Sequence, residues 1–228
     1  MQSPNEKPHY SGHRQRLRNK FLSDPKSISN HELLEMLLFY AFLRKDTKPT
    51  AKALLHRFKS LKEMISADRG DLKKVNGVGE STAILLSLVH EISNRMLLEK
   101  ISESAAVMSA AHVVDYYKNA LGQAKKEQLR VMFLNNRNKL ISEEIMQEGT
   151  VNNTAVYPRE IVQRALEHGA GAIIMVHNHP SGDPTPSKQD IIMTKMISDI
   201  VGKLDIVLLD HIIISKTGTV SLKEQGII

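Results

Sequence analysis

The 228-residue chain contains no cysteine. Disulfides and thiolate metal ligands are therefore excluded, so any zinc would have to be held by histidine and carboxylate. The His/Cys/Cys or Cys₃ ligand set of a zinc deaminase is excluded with them. Tryptophan is also absent and aromatic residues make up 4%, which argues against a stacking platform for single-stranded nucleic acid. No apolar run approaches the roughly 18 residues of a membrane span. The opening residues, MQSPNEKPHYSGHRQRLR, lack the apolar stretch of a secretory signal. The expectation is a cytoplasmic protein with no membrane partner. What remains is 41% hydrophobic and 25% charged, the balance of an ordinary globular protein long enough for one large domain or two small ones.

Charge is distributed unevenly. Residues 1–104 carry 18 Lys+Arg against 12 Asp+Glu, whereas residues 105–228 carry 13 of each. The whole positive excess lies in the first half, as in a polyanion-facing module joined to a neutral one.

The local patterning also changes near residue 104. Residues 1–20 are polar and basic and lead into a first helix. From about 30 to 96 the apolar spacing is helical, beginning with Asn30 as an N-cap before Leu33, Leu34, Leu37 and Leu38. The small, polar stretch 101–109 marks a boundary. Beyond it, 110–121 is expected to be a helix, with 129–134 and 139–145 a hairpin across Asn135–Asn138. Pro158 opens a helix that buries Ile161, Val162, Ala165 and Leu166 and is closed by Gly169. The continuous apolar run 172–176 reads as a strand buried on both faces. A helix over 187–203 and strands over 206–215 and 219–222 complete an α/β half.

The chemistry concentrates in residues 177–190, HNHPSGDPTPSKQD. His177 and His179, at i and i+2 where a buried strand ends, project from one face and can converge on one ion. The Gly/Pro-rich loop turns the chain back and delivers Asp190 in the first turn of the next helix, where its carboxylate can be a third ligand. Three protein ligands leave a fourth position open, the mark of a catalytic zinc site. Ser187-Lys188-Gln189-Asp190 is equally a capping pattern, with serine at N-cap and an acid at N3. Two histidines and a carboxylate would also suit a non-haem iron oxygenase, but the adjacent Ser187 and the α/β pattern favour a hydrolase.

These residues match H-x-H, seven residues, S-x-x-D, and so resemble the JAMM/MPN metalloproteases. The resemblance implies Zn²⁺ held by His177, His179 and Asp190, a zinc-bound water as nucleophile, and Ser187 as a hydrogen-bond donor to the developing oxyanion. It also implies an upstream glutamate as general acid/base. Glu127, just before the strand at 129–134, is the candidate; Glu143, Glu144, Glu148 and Glu160 compete. More narrowly, Gly149-Thr150, Tyr157–Glu160, His177–Ser187 and Leu209-Asp210-His211 resemble the RadC family, as do Gly12–Arg18 and Glu32–Glu35 in the first half. His211 reads as a buried core histidine or one that supports a ligand, and not as a ligand itself.

In the first half, Leu72–Ala83 (LKKVNGVGESTA) resembles a helix–hairpin–helix motif. Gly77 and Gly79 would let the chain turn tightly and expose backbone N–H groups to a phosphate, with Lys73 and Lys74 adding charge. Such contact positions DNA without reading its sequence. A purely structural helical hairpin is the competing reading, and Glu80 is an unfavourable charge for phosphate.

Together these expectations describe an all-helical, DNA-contacting domain at 1–104. A mixed α/β JAMM/MPN domain, similar in fold to cytidine deaminases, follows at 105–228. The implied function is a zinc-dependent hydrolase of peptide or isopeptide bonds, with an unidentified peptide or protein substrate, associated with DNA. The alternative is a nucleic-acid-binding repair accessory or nuclease whose zinc site is not proteolytic.

Overall fold

The computed structural model describes residues 12–43, 45–103, 110–149 and 157–228. The chain divides into two compact units, Met1–Glu91 and Ile92–Ile228. The division falls inside a single helix, α6 (Glu80–Glu103). The boundary expected at 104/105 lies at the edge of 104–109, outside the described residues. The far end of α6 carries the fully buried Ile101, which belongs to the core of the second unit.

The first unit is helical: α1 (His13–Ser23), α2 (Asn30–Leu38), α3 (Lys48–Phe58), α4 (Leu61–Ile65), α5 (Arg69–Lys73) and the start of α6. Its core gathers Leu34, Leu38, Leu54, Met64, Leu72, Val78 and Leu86. Arg14, in the basic stretch that leads into the first helix, is used internally. Its guanidinium donates to the carbonyls of Phe42, Leu43 and Lys45 and lies 4.7 Å from the centroid of the Phe39 ring. The cap of α2 is Ser29 rather than Asn30. Ser29 and Glu32 bond each other's backbone N–H groups reciprocally, which satisfies donors that no helical carbonyl can reach.

The second unit is built on a five-stranded sheet in the order β2-β1-β3-β4-β5. The strands are β1 (Glu127–Leu134), β2 (Leu140–Gly149), β3 (Ala172–Asn178), β4 (Val207–Ile214) and β5 (Thr219–Ser221), with helices α7 (Ala110–Ala120), α8 (Pro158–Glu167) and α9 (Lys188–Gly202). β1 and β2 form the expected hairpin, β1 runs antiparallel to β3, and β3 runs parallel to β4. Every residue of β3 is buried, because helices cover both faces of the sheet. Met132, Ile174, Val176 and Ile212 pack with α7 and the end of α6 on one face. Leu129, Val131, Phe133, Ile173, Met175 and Leu208 pack with α8 and α9 on the other. In α8, Ile161 and Ala165 are buried as expected, but Leu166 is exposed. Leu166 lies about 100° further round the helix than Ala165 and falls outside the stripe that faces the sheet.

Candidate metal centre

The two-residue period of a strand sets the site's position. Leu129 and Val131 on β1 and Met175 on β3 face α8 and α9, so Glu127 and His177 fall on that same face. His177 pairs across the sheet with Leu129 on one side and Ile213 on the other. One residue beyond β3, the His179 backbone N–H still donates to the Ile214 carbonyl at 2.8 Å, so both histidines sit on paired backbone. The following loop is stitched internally. Thr185 N–H and its hydroxyl donate to Asp183 Oδ1 at 2.9 and 2.7 Å, and Thr217 donates to the Gly182 carbonyl at 2.6 Å. Gly182, at φ 97°, makes the turn that returns the chain to α9.

α9 begins with a complete capping box. Asp190 N–H donates to Ser187 Oγ at 3.1 Å, and Ser187 N–H donates to Asp190 Oδ2 at 2.7 Å. The capping role and the ligand role do not compete, because a carboxylate has lone pairs enough for both. Asp190 Oδ1 lies 3.4 Å from His177 Nε2, Oδ2 lies 3.5 Å from His179 Nε2, and the two imidazole nitrogens are 2.9 Å apart. Ligand atoms 2.0–2.1 Å from a tetrahedral ion are separated by about 3.4 Å, and each histidine has one carboxylate oxygen near that spacing, a different oxygen in each case. The histidine pair is a few tenths of an ångström closer. Among the described residues these three are the cluster able to hold a metal.

Accounting for protons shows what faces the centre. The Thr194 hydroxyl donates to the Asp190 carbonyl at 2.5 Å, so at 2.5 Å from His211 Nδ1 it can only accept. The neutral His211 ring thus carries its proton on Nδ1 and offers Nε2 as acceptor. His177 Nδ1, 2.8 Å away, must be the donor to it. His179 Nδ1 is likewise a donor, to the Asp183 carbonyl at 2.8 Å. With both rings neutral, the Nε2 atoms are therefore left with lone pairs directed at each other and at the carboxylate. This arrangement is unfavourable without a cation and is the one that metal ligation requires.

The electrostatics separate the two histidines. Burial pushes His177 down to about 4, with Asp190 opposing and His179 assisting. Burial also holds His211 well below the ordinary histidine range. Contact with Asp190 raises His179, against its partial burial. For Asp190, burial is outweighed by His179, by the charge on His177 and by Ser187, which together hold the carboxyl well below its usual range.

Glu127 opens β1, opposite Gly149 of β2. Burial raises its carboxyl, His179 lowers it and Asp190 raises it further, so the group lies within the field of the cluster. Its competitors are engaged elsewhere. Glu143 accepts from Tyr116 at 2.7 Å and Arg130 at 3.0 Å. Glu144 is held by Arg164 and His168, and Glu148 by Lys126 and Gln128. Glu160 is exposed in the first turn of α8. Sequence reading missed Thr194, which orients the His211 ring, and Asn178, which sits between the two histidines. Thr194 on the buried side of α9, one turn past Asp190, was a usable signal for the first.

In the first unit, Lys73 and Arg69 both pair with Glu80, and Lys74 pairs with Asp71. The positive charge of the hairpin is thus partly compensated locally. Gly77 is demanded by packing: its φ is 87° and a Cβ there would lie 2.6 Å from Thr50 Oγ1. A Cβ at Gly79 would meet nothing within 4 Å. Among the described residues no helix is long and apolar enough to cross a membrane. The whole centre, from Glu127 through the two histidines to Asp190, lies within residues 107–227, which match the family model described as RadC-like JAB domain. That match covers more than half of the chain, which belongs to this family.

Proposed function

We propose that the protein is a zinc-dependent hydrolase of peptide or isopeptide bonds. The observation that carries this reading is the convergence of two imidazole nitrogens and a carboxylate beside a partly buried glutamate. Bound by His177, His179 and Asp190, Zn²⁺ would supply a Lewis acid able to activate water near neutral pH. Glu127, its carboxyl raised toward neutrality by burial, accepts the proton released by the attacking water and returns it to the leaving amine. The Ser187 hydroxyl, whose oxygen accepts from Asp190 N–H, keeps its own proton free to donate to the oxyanion. Ser187 and Asp190 are held by one capping box, so oxyanion donor and ligand move together.

The test is a screen of the zinc-loaded protein against peptides, isopeptide-linked peptides and nucleic acids, each with a chelator control. Chelator-sensitive cleavage of an amide bond is expected. Glu127→Gln should lower it by about 10²-fold or more while retaining zinc. Cleavage of nucleic acid alone would transfer the reading to a nuclease. We also infer weak, sequence-independent DNA contact by the first half, on the strength of its uncompensated charge. Binding of the full chain to duplex DNA should weaken steeply with salt; affinity insensitive to salt would count against it.

A further inference from the structure

The ladder between β1 and β3 ends at Leu129 and His177. Continued one step further, it would have tied the backbone around Glu127 to the metal-binding segment. A side chain takes its place. Asn178 Oδ1 accepts from Gln128 N–H at 2.9 Å, and Asn178 Nδ2 donates to the Lys126 carbonyl at 3.0 Å. One amide thus grips the chain immediately before and immediately after Glu127. Asn178 is itself 1% exposed and is the residue between His177 and His179.

From these contacts we propose that Asn178 is a positioning residue, a clamp that fixes the Glu127 carboxylate relative to the metal ligands. The proposal rests on the reading of Glu127 as the proton-transfer group. Its chemistry is specific to a carboxamide. The two backbone groups need one acceptor and one donor at the end of a short side chain, and asparagine supplies both. Aspartate has the same shape but would set a carboxylate against the Lys126 carbonyl oxygen. Alanine would leave the Gln128 N–H and the Lys126 C=O without that partner. On its other side, β1 is tied only to β2, an edge strand of the sheet. The clamp is therefore the connection that refers Glu127 to the ligands rather than to the sheet's margin. A displacement of about 1 Å at a reacting group can cost 10²-fold in rate, which gives such a connection a function beyond strand pairing.

The test uses full-length protein labelled with ¹³C at glutamate carboxyls, with the Glu127 signal identified by its loss in Glu127→Gln. Zinc alone is the probe. In the wild-type protein the Glu127 signal should shift on addition of one equivalent of zinc. Asn178→Asp and Asn178→Ala should still bind one zinc per chain but lose most of that shift. In Asn178→Ala, exchange of the Gln128 amide should accelerate by about tenfold, the scale of one lost hydrogen bond. A full zinc-induced shift in both variants would overturn the clamp while leaving Glu127 in its role. Loss of stoichiometric zinc would overturn it too, because Asn178 would then serve the ligands themselves. A wild-type Glu127 signal indifferent to zinc would remove the Glu127 reading first and the clamp with it. Should Asn178→Ala not fold, Asn178→Asp, which exchanges one terminal group, decides alone.

Discussion

Two helices of this protein start in the same way and end up with different chemistry. α2 is capped by Ser29 and Glu32 and α9 by Ser187 and Asp190, each pair forming a reciprocal capping box. In both, the acid sits in the first turn, against the positive end of the helix dipole. What differs is the neighbour. Glu32 meets the Lys20 ammonium at 2.9 Å, and that contact, with Ser29 assisting, lowers its carboxyl to about 2. Asp190 meets two imidazoles whose inward nitrogens carry lone pairs. An ammonium arrives with its protons and completes the ion pair, whereas the imidazoles leave the carboxylate facing a place for a cation. A capping box is thus a way of presenting a carboxylate, and the facing element decides its use.

The largest expected effect tests that comparison directly. The wild-type protein should hold about one zinc per chain, and His177→Ala or Asp190→Asn should abolish stoichiometric binding. Glu32→Gln should leave zinc content unchanged. Elemental analysis after dialysis checks all three, and retention of zinc by His177→Ala would break the ligand assignment.

Next in size is the pH dependence of zinc binding. A metal must displace any proton on its ligands. His177, pushed down to about 4, and Asp190, held lower still, are already deprotonated over most of the acid range. His179, raised by Asp190, is not. Below the raised pKa of His179, zinc affinity should fall by about tenfold per pH unit, a single-proton slope. A second proton should enter only near pH 4, where His177 titrates. Competition with a chromophoric chelator across pH measures the slope; a two-proton slope near neutrality would contradict the tautomer accounting.

The smallest effects separate cap from site. Ser29→Ala should cost about 1 kcal/mol of stability and nothing else. Ser187→Ala should cost a similar amount in thermal or denaturant unfolding. In addition it should slow turnover by roughly 2–4 kcal/mol of lost oxyanion stabilisation. Glu32 has its folded pKa depressed, so its stabilising contribution is full above about pH 4.5 and is lost as pH falls toward 2. Glu32→Gln should flatten that part of the stability profile. Equal functional consequences from both serine variants would dissolve the distinction between the two helices.

The spacing of His177, His179 and Asp190, the strand–loop–helix that carries them and the two-face burial of β3 were all legible in the sequence. They follow from local rules: a period of two along a strand, prolines and a glycine in the loop, and a capping tetrapeptide at the helix start. Ser29 was missed as a cap because Asn30 is as good a cap by itself, and only backbone geometry separates them. Partners distant in the chain were not legible. Thr194, His211 and His177 line up because α9 and β4 both pack against β3, and the direction of each proton follows from that stacking. Asn178 grips Lys126 and Gln128 from fifty residues away because the antiparallel ladder stops one residue early. Which atoms could bind a metal, and which helix would present the carboxylate, could be read before folding, since both depend on residues within one turn or one strand. Which glutamate lies in their field, which nitrogens are turned inward and what holds them in register came from the packed structure. Those depend on hydrogen-bond partners that come together only when separate strands and helices pack.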